Sequence, residues 1–194
     1  MTVILAASAA YLLGSIPFAF LLARRRGIDL RQSGSGNVGA SNVLRTSGVT
    51  LAVLAMALDG LKGMLAVLIA ERVSAMPAAP VAAGLASVLG HVYPVWLRFR
   101  GGKGVATAAG AFTLLAPAAL AAASAVFVIV VIATRMISVG SLTAAVTLAI
   151  ATALMDSSRL VIAGAALAAA IIVYCHRGNL ARLMAGTERR VGGA

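Results

Sequence analysis

Two glycine-rich segments carry most of the groups in this 194-residue sequence that could hold an anion. The first reads Gly34-Ser35-Gly36-Asn37-Val38-Gly39-Ala40-Ser41-Asn42-Val43-Leu44-Arg45. Glycines let successive backbone N–H groups turn towards negative charge, Ser35, Asn37, Ser41 and Asn42 add side-chain donors, and Arg45 adds charge. The run matches G-x-G-x-x-G, and Asp59 follows Gly39 by 20 residues, as a dinucleotide fingerprint would require. No strand precedes it, and Asp59 lies inside an apolar helical stretch, so only the local anion-binding physics survives. The alternative is a flexible polar linker, for which 25 residues (24–48) is long.

The second segment is Arg98-Phe99-Arg100-Gly101-Gly102-Lys103-Gly104, directly before an apolar helix from Val105. It is not a Walker A loop: Leu97 stands where the first glycine belongs, and Gly104 replaces the Ser or Thr after the lysine. Gly101, Gly102 and Gly104 at a helix start would still offer unpaired N–H groups and the positive helix end to an anion, with Lys103 as point charge. An ordinary basic turn is the alternative.

Three further groups could act. Asp59 and Lys62 lie mid-span, three apart on one helix face, where charges are costly and either pair or line a site. His176 and Asn179 share a face at the exit of the last span, with Arg177 and Arg182 nearby; a snorkelling basic tail is the bland reading. Ser138 and Ser141 sit beside Arg135 at the mouth of another span, and His91 lies within the third. Asp156 and Arg159 fall in a short outer loop and are read as solvated.

The elements that must position these residues are membrane helices. Hydrophobic residues make up 61% and charged residues 11%, against about 45–50% and about 25% in a soluble domain. The net charge of +11 could suggest nucleic acid, but aromatics are only 5% and the cations fall between apolar runs, so a nucleic-acid module is excluded. One cysteine, two histidines and five scattered acids leave no disulfide framework and no metal cage; neither metal nor cofactor is expected.

Apolar runs long enough to cross lie at 2–23, 50–72, 79–97, 118–134, 139–155 and 160–176. Between the third and fourth, Val105–Leu115 makes only about 16 Å of helix, and Pro117 interrupts the pattern. The segment 105–134 is therefore one kinked span or two elements. If the chain turns at Ala116-Pro117, Arg24, Arg25, Arg26, Arg31, Arg45, Arg98, Arg100, Lys103, Arg135, Arg177, Arg182, Arg189 and Arg190 share one side, 13 of the 16 cations. The positive-inside rule then gives an odd number of crossings, seven fitting best or five if 105–134 is re-entrant, with the N-terminus outside and the C-terminus cytoplasmic.

The expected fold is an all-α integral membrane protein, a compact bundle of about seven transmembrane helices, one of them short, forming a single polytopic domain over 1–194. Ala7-Ser8-Ala9 looks like a signal-peptide cleavage site, but Arg24-Arg25-Arg26 follow the apolar stretch instead of preceding it, as in a retained span. No internal repeat of 20–50 residues is visible, which disfavours inverted-repeat transporters. The polar segments converge on the cytoplasmic side, and many cationic donors with few acids suit a phosphorylated substrate beside an acyl chain. A phosphate-ester transporter and a basic membrane scaffold fit the same electrostatics.

At these motifs the chain resembles the bacterial acyl-phosphate:glycerol-3-phosphate acyltransferase (PlsY) family. The likeness lies in Gly14-Ser15-Ile16-Pro17, the Gly34–Arg45 run, Asp59-Gly60-Leu61-Lys62-Gly63, Gly90-His91 through Lys103-Gly104-Val105-Ala106-Thr107, and His176-Arg177-Gly178-Asn179 with Gly186 and Glu188, all in order. The resemblance implies transfer of a fatty acyl group from acyl phosphate to the 1-hydroxyl of glycerol 3-phosphate, giving lysophosphatidic acid and phosphate without coenzyme A, acyl carrier protein or metal. It implies the first acylation of phospholipid synthesis, in the bacterial inner membrane with the site facing the cytoplasm. Ser35, Asn37, Arg45 and Lys103 would hold phosphate, with Ser141, His176 and Asn179 near the reacting centre. Asp59, Lys62, Gly101, Gly102 and Gly104 are counted with the phosphate-binding set, and Lys103 also with the catalytic one. The His-x4-Asp pair of soluble-donor acyltransferases is absent, since Trp96 and Ala181 stand five residues after the two histidines. No G-x-S-x-G nucleophile occurs either, so direct attack of the hydroxyl on the donor is the simplest mechanism. The proton acceptor is His176 or the donor's own phosphate.

The orientation is tested by cysteine labelling from outside intact cells. A probe near Met76 should react and probes near Gly34 and Gly186 should not; reaction at Gly34 would invert the topology.

Overall fold

The structure, a computed structural model, describes residues 2–155 and 157–192. Asp156, read from the sequence as a solvated loop residue, lies outside the described residues. Among the described residues the regular structure is entirely helical. The helices are α1 (Val3–Gly14), α2 (Phe18–Arg24), α3 (Ala40–Ser47), α4 (Val49–Val73), α5 (Ala78–Val92), α6 (Val105–Leu115), α7 (Pro117–Thr134), α8 (Ile137–Leu154), α9 (Arg159–Cys175) and α10 (Arg177–Met184), with a 3-10 turn at Val95–Leu97.

The expected first span, 2–23, is broken at Ser15-Ile16-Pro17 into α1 and α2, because Pro17 cannot donate to the ladder. Pro117 acts differently. Ala116 leaves the helical region, with φ −157° and ψ 69°, and Pro117 opens α7, where a missing N–H costs nothing. The segment 105–134 is therefore two helices, the second of the two arrangements the sequence allows. Among the described residues, five segments are long and apolar enough to cross a bilayer: Val3–Arg24, Val49–Val73, Ala78–Leu97, Pro117–Thr134 and Ile137–Leu154. A sixth is obtained if α9 and α10, bent by 57°, are taken together, and Val105–Leu115 is shorter than a span. Large apolar side chains such as Ile4, Ile129, Ile132, Leu154 and Leu167 face outward, as lipid contact requires.

The chain divides into two compact units, Met1–Leu115 and Ala116–Ala194. In the first, α1 packs on α5, and α4 packs on α5 and α6. Small residues make this possible: Ala6, Ala10, Ala66, Ala70 and Ala83 form one buried cluster. Helices in lipid gain little from burying apolar surface against one another, so close van der Waals approach carries the association. Gly63 meets the carbonyl of Thr107, and Gly110 meets the carbonyl of Gly60, so that no Cβ fits at 63 or 110. A second cluster joins α2, the following loop, α3, the start of α4 and the 3-10 turn through Ala19, Ala23, Leu30, Val38, Val43, Ala52, Ala55 and Leu97. In the second unit α8 packs on α7 and α9, with Gly140 against Val131 and Phe127 of α7.

The α4–α6 contact separates two neighbouring glycines. A Cβ at Gly63 would strike backbone, whereas at Gly60 it would lie 3.5 Å from the Ala106 carbonyl, an ordinary contact. Gly63→Ala should lower stability in detergent by about 1–3 kcal/mol, read as a fall in Tm, with Gly60→Ala close to the parent. Equal Tm values would show that this helix pair does not need the close approach.

Candidate functional site

The first loop is built around Asn42 of α3, whose side chain is fully buried. Its amide nitrogen donates to the carbonyls of Leu30 (3.1 Å), Ser33 (2.9 Å) and Asn37 (2.9 Å), while its oxygen accepts from Ser35 N–H at 2.8 Å. Asn42 therefore shapes the loop and is not an anion donor, contrary to expectation. Gly34 allows this: its φ is +62° and any Cβ would collide with the Asn42 side-chain oxygen. The near end of the loop is clamped by Asp29, which accepts from Arg31 Nε (3.0 Å), Nη2 (2.8 Å) and backbone N–H (3.0 Å). Hydrogen bonding from Arg31 holds the Asp29 carboxyl down to about 2. Arg31, stacked 5.0 Å over Phe20, is thus part of the loop's frame.

Ser35 and Asn37 lie half-buried on this frame. Asn37 accepts from Gly39 N–H at 3.0 Å and reaches the Gly101 carbonyl of the second glycine segment at 3.4 Å. The two glycine-rich motifs therefore meet. Arg45 is exposed on α3 and donates to the Ser41 carbonyl at 3.1 Å.

The second segment corrects a sequence expectation. Gly101 N–H donates to the Val92 carbonyl (2.9 Å) and Gly102 N–H to that of His91 (3.1 Å), so neither amide is free for an anion. Their lack of a side chain serves packing: Gly101 lies on the backbone of residues 91–92, and Gly102 on the His91 imidazole. Gly104, at φ +82° against Val88, makes the turn into α6. Lys103, half-buried, stands between this pinned bend and the first turn of α6.

Asp59 and Lys62 are also not exposed to a substrate in this conformation. Their side chains are 2% and 1% accessible, with Lys62 Nζ 2.9 Å from Asp59 Oδ1. Lys62 also donates to the Ile16 carbonyl at 2.9 Å, and His91 Nδ1 lies 3.5 Å from Asp59 Oδ1. The adjoining cavity, lined in part by Ser15, Asp59, Lys62, His91, Gly101 and Gly102, is about 10 Å³, space for roughly one water and too small for a phosphate. The expected phosphate-binding role of Asp59 and Lys62 gives way to a structural one.

The remaining expected residues, Ser141, His176 and Asn179, belong to the second unit and are all buried. His176 occupies the break between α9 and α10, and its Nδ1 lies 2.8 Å from the Ile172 carbonyl. A carbonyl can only accept, so at this contact Nδ1 is the donor and carries a proton. Sequence reasoning gave Glu188 no role, yet it is the hub here. Oε1 accepts from Ser138 (2.8 Å) and Asn179 (2.6 Å), and Oε2 from Arg182 Nε (2.8 Å). The available signal was the isolation of one acid in a basic tail. Burial pushes the Glu188 carboxyl up, but the Ser138 and Asn179 hydrogen bonds and the Arg182 guanidinium outweigh it and hold it below its ordinary value.

This scaffold is matched by known proteins along nearly its whole length. The family model described as "Glycerol-3-phosphate acyltransferase" matches residues 4–186. A glycerol-3-phosphate acyltransferase of Myxococcus xanthus is 49% identical over 185 residues, covering 93% of this chain and 95% of its own. One from Geotalea daltonii is 47% identical over 179 residues, 92% of each chain. The crystal structure of PlsY (YgiH), an integral membrane glycerol 3-phosphate acyltransferase in its glycerol 3-phosphate form, superposes with a TM-score of 0.93 at 40% identity, covering 98% of this chain and 96% of that one. Its lysophosphatidic acid form gives 0.91 at 39%, covering 98% and 95%. The protein is accordingly a multi-pass membrane acyltransferase. It belongs to the glycerol-3-phosphate acyltransferase family, and its place is in phospholipid biosynthesis.

Glu188 supplies a pH test. Its folded-state pKa lies below the unfolded value of about 4.3, so its contribution is present above that value and is lost as pH falls through the folded one. Glu188→Gln should lower stability at pH 7 by about 1.5–3 kcal/mol, the worth of a charge-assisted bond. The gap to the parent Tm should shrink at pH 3; a gap independent of pH would mean the carboxylate charge contributes nothing.

Proposed function

We propose that the chain transfers a fatty acyl group from acyl phosphate to the 1-hydroxyl of glycerol 3-phosphate, releasing lysophosphatidic acid and phosphate. The reading includes a single polytopic domain in the bacterial inner membrane, N-terminus outside, with the site on the cytoplasmic side. One observation carries it: the chain matches, over 98% of its length, a protein solved in both a glycerol 3-phosphate form and a lysophosphatidic acid form. Those two molecules differ by one acyl group. The mixed anhydride of an acyl phosphate is already activated, which suits a chain with no G-x-S-x-G nucleophile.

In the step proposed, the glycerol 1-oxygen forms a bond to the acyl carbon while the bond from that carbon to the phosphate oxygen breaks. The hydroxyl proton passes to His176 Nε2 or to a phosphate oxygen of the donor, and inorganic phosphate leaves. Lys103, Ser35, Asn37 and Arg45 hold phosphate oxygens, while Ser141 and Asn179 serve near the reacting carbon. The protein's work is positioning and stabilising charge on the oxyanion and the leaving phosphate.

The test is release of phosphate from acyl phosphate by detergent-purified protein, strictly dependent on glycerol 3-phosphate. Detergent abolishes gradients, so transport and scaffolding give no signal. A charge-assisted hydrogen bond of roughly 1.5–3 kcal/mol corresponds to about 10- to 200-fold in rate. Lys103→Ala should lower kcat/KM by that factor, and Lys103→Arg should recover only part, since a planar fork cannot replace a compact ammonium in a glycine turn. Near-parent kinetics in both variants would remove Lys103 from the site.

A further inference from the structure

Gly102 is the one glycine of the second motif whose missing side chain is filled by a titratable ring. A Cβ there would collide with His91 Nε2, with Cε1 at 2.9 Å and Cδ2 at 3.0 Å. A side-chain obstacle can usually swing away, but this one is held. His91 is 8% exposed on the last turn of α5, its Nδ1 faces Asp59 Oδ1 at 3.5 Å, and Asp59 is itself paired to Lys62 at 2.9 Å. Lys62 is fixed in turn by the Ile16 carbonyl at the break between α1 and α2. The adjoining cavity of about 10 Å³ admits roughly one water, not a displaced imidazole. Gly101 differs: a Cβ there would meet backbone, the His91 and Val92 carbonyls, and Pro94.

We propose that His91, held by the buried Asp59–Lys62 pair, is a positioning residue: its imidazole is the platform on which Gly102 lies, and through that bend it places Lys103. On this account position 102 is glycine because of the imidazole beneath it, and not because a substrate phosphate approaches the backbone there. Its consequence for turnover rests on the acyl-transfer reading above. A lysine that grips phosphate in ground and transition states alike contributes uniform binding, so misplacing it raises KM more than it lowers kcat.

The experiment is a double-mutant cycle read by both kinetics and melting temperature in detergent. Gly102→Ala should raise KM for glycerol 3-phosphate by at least about tenfold, and His91→Ser, which removes the ring, should raise it severalfold by itself. In the double variant the loss should recover to about that of His91→Ser alone, far short of the product of the two single effects. The control pair Gly101→Ala with His91→Ser should recover nothing, because its obstacle is backbone. If Gly102→Ala yields no folded protein, restoration of folded yield by His91→Ser, with a KM near that of His91→Ser alone, is the supporting result. Three outcomes overturn the proposal: Gly102→Ala with parent-like KM, no recovery in the double variant, or recovery of Tm without recovery of KM, which would make the contact merely structural. A parent protein inert on both substrates would instead overturn the acyl-transfer reading, while the Tm cycle would still decide whether residues 91 and 102 share one space.

Discussion

The arrangement of the first unit depends on one buried ion pair. Asp59 and Lys62, one turn apart on α4, meet at 2.9 Å with almost no exposure. An unpaired charge in that setting would be strongly destabilising, so each needs the other. Neither is spent on its partner alone. Lys62 also satisfies the Ile16 carbonyl at the interrupted first span, and Asp59 also faces His91 at the end of α5. Two separate stretches of chain are thereby tied to one point on α4. A third, the Gly101–Gly102 bend, meets it through the imidazole.

The glycines around this point serve close approach more than flexibility. Gly63 and Gly110 let α4 and α6 touch backbone to backbone, and Gly14 and Gly90 do the same for α1 and α5. Helices that cannot gain from hydrophobic burial against one another hold together by such contact, and the price is that few substitutions fit. A rigid bundle of this kind gives the polar loops a fixed base. On it, Asn42 gathers the first loop with four hydrogen bonds, and Asn37 joins that loop to the Gly101 carbonyl.

The second unit solves a similar problem with a single carboxylate. Glu188 accepts from α8 through Ser138 and from α10 through Asn179 and Arg182. The tail is further returned to the α7–α8 junction by Val191 N–H donating to the Arg135 carbonyl at 2.7 Å. Charge of one sign dominates the chain, so the few acids are valuable: Asp29, Asp59 and Glu188 each anchor cations or donors at a place where the backbone changes direction.

Much of this protein was legible from residue order alone. Apolar run length located five of the six expected crossing runs, because bilayer thickness and helix rise are fixed quantities; the run at 160–176 qualifies only together with α10. Proline marked the break at Pro117, whereas the one at Pro17 fell inside a run read as a single span; the ordered motifs identified the family. What the sequence could not decide was the use of each polar group. Asn42 and Asn37 look alike as donors, yet one is consumed inside the loop and the other links two loops. Gly101 and Gly102 look like an anion cradle, but their amides bond to α5. Asp59 and Lys62 look like a site and are a strut, while Glu188 looked idle and is a hub. A side chain's type and spacing determine what bonds it can make; which bonds it does make depends on which distant carbonyls, rings and carboxylates the fold brings within about 3 Å.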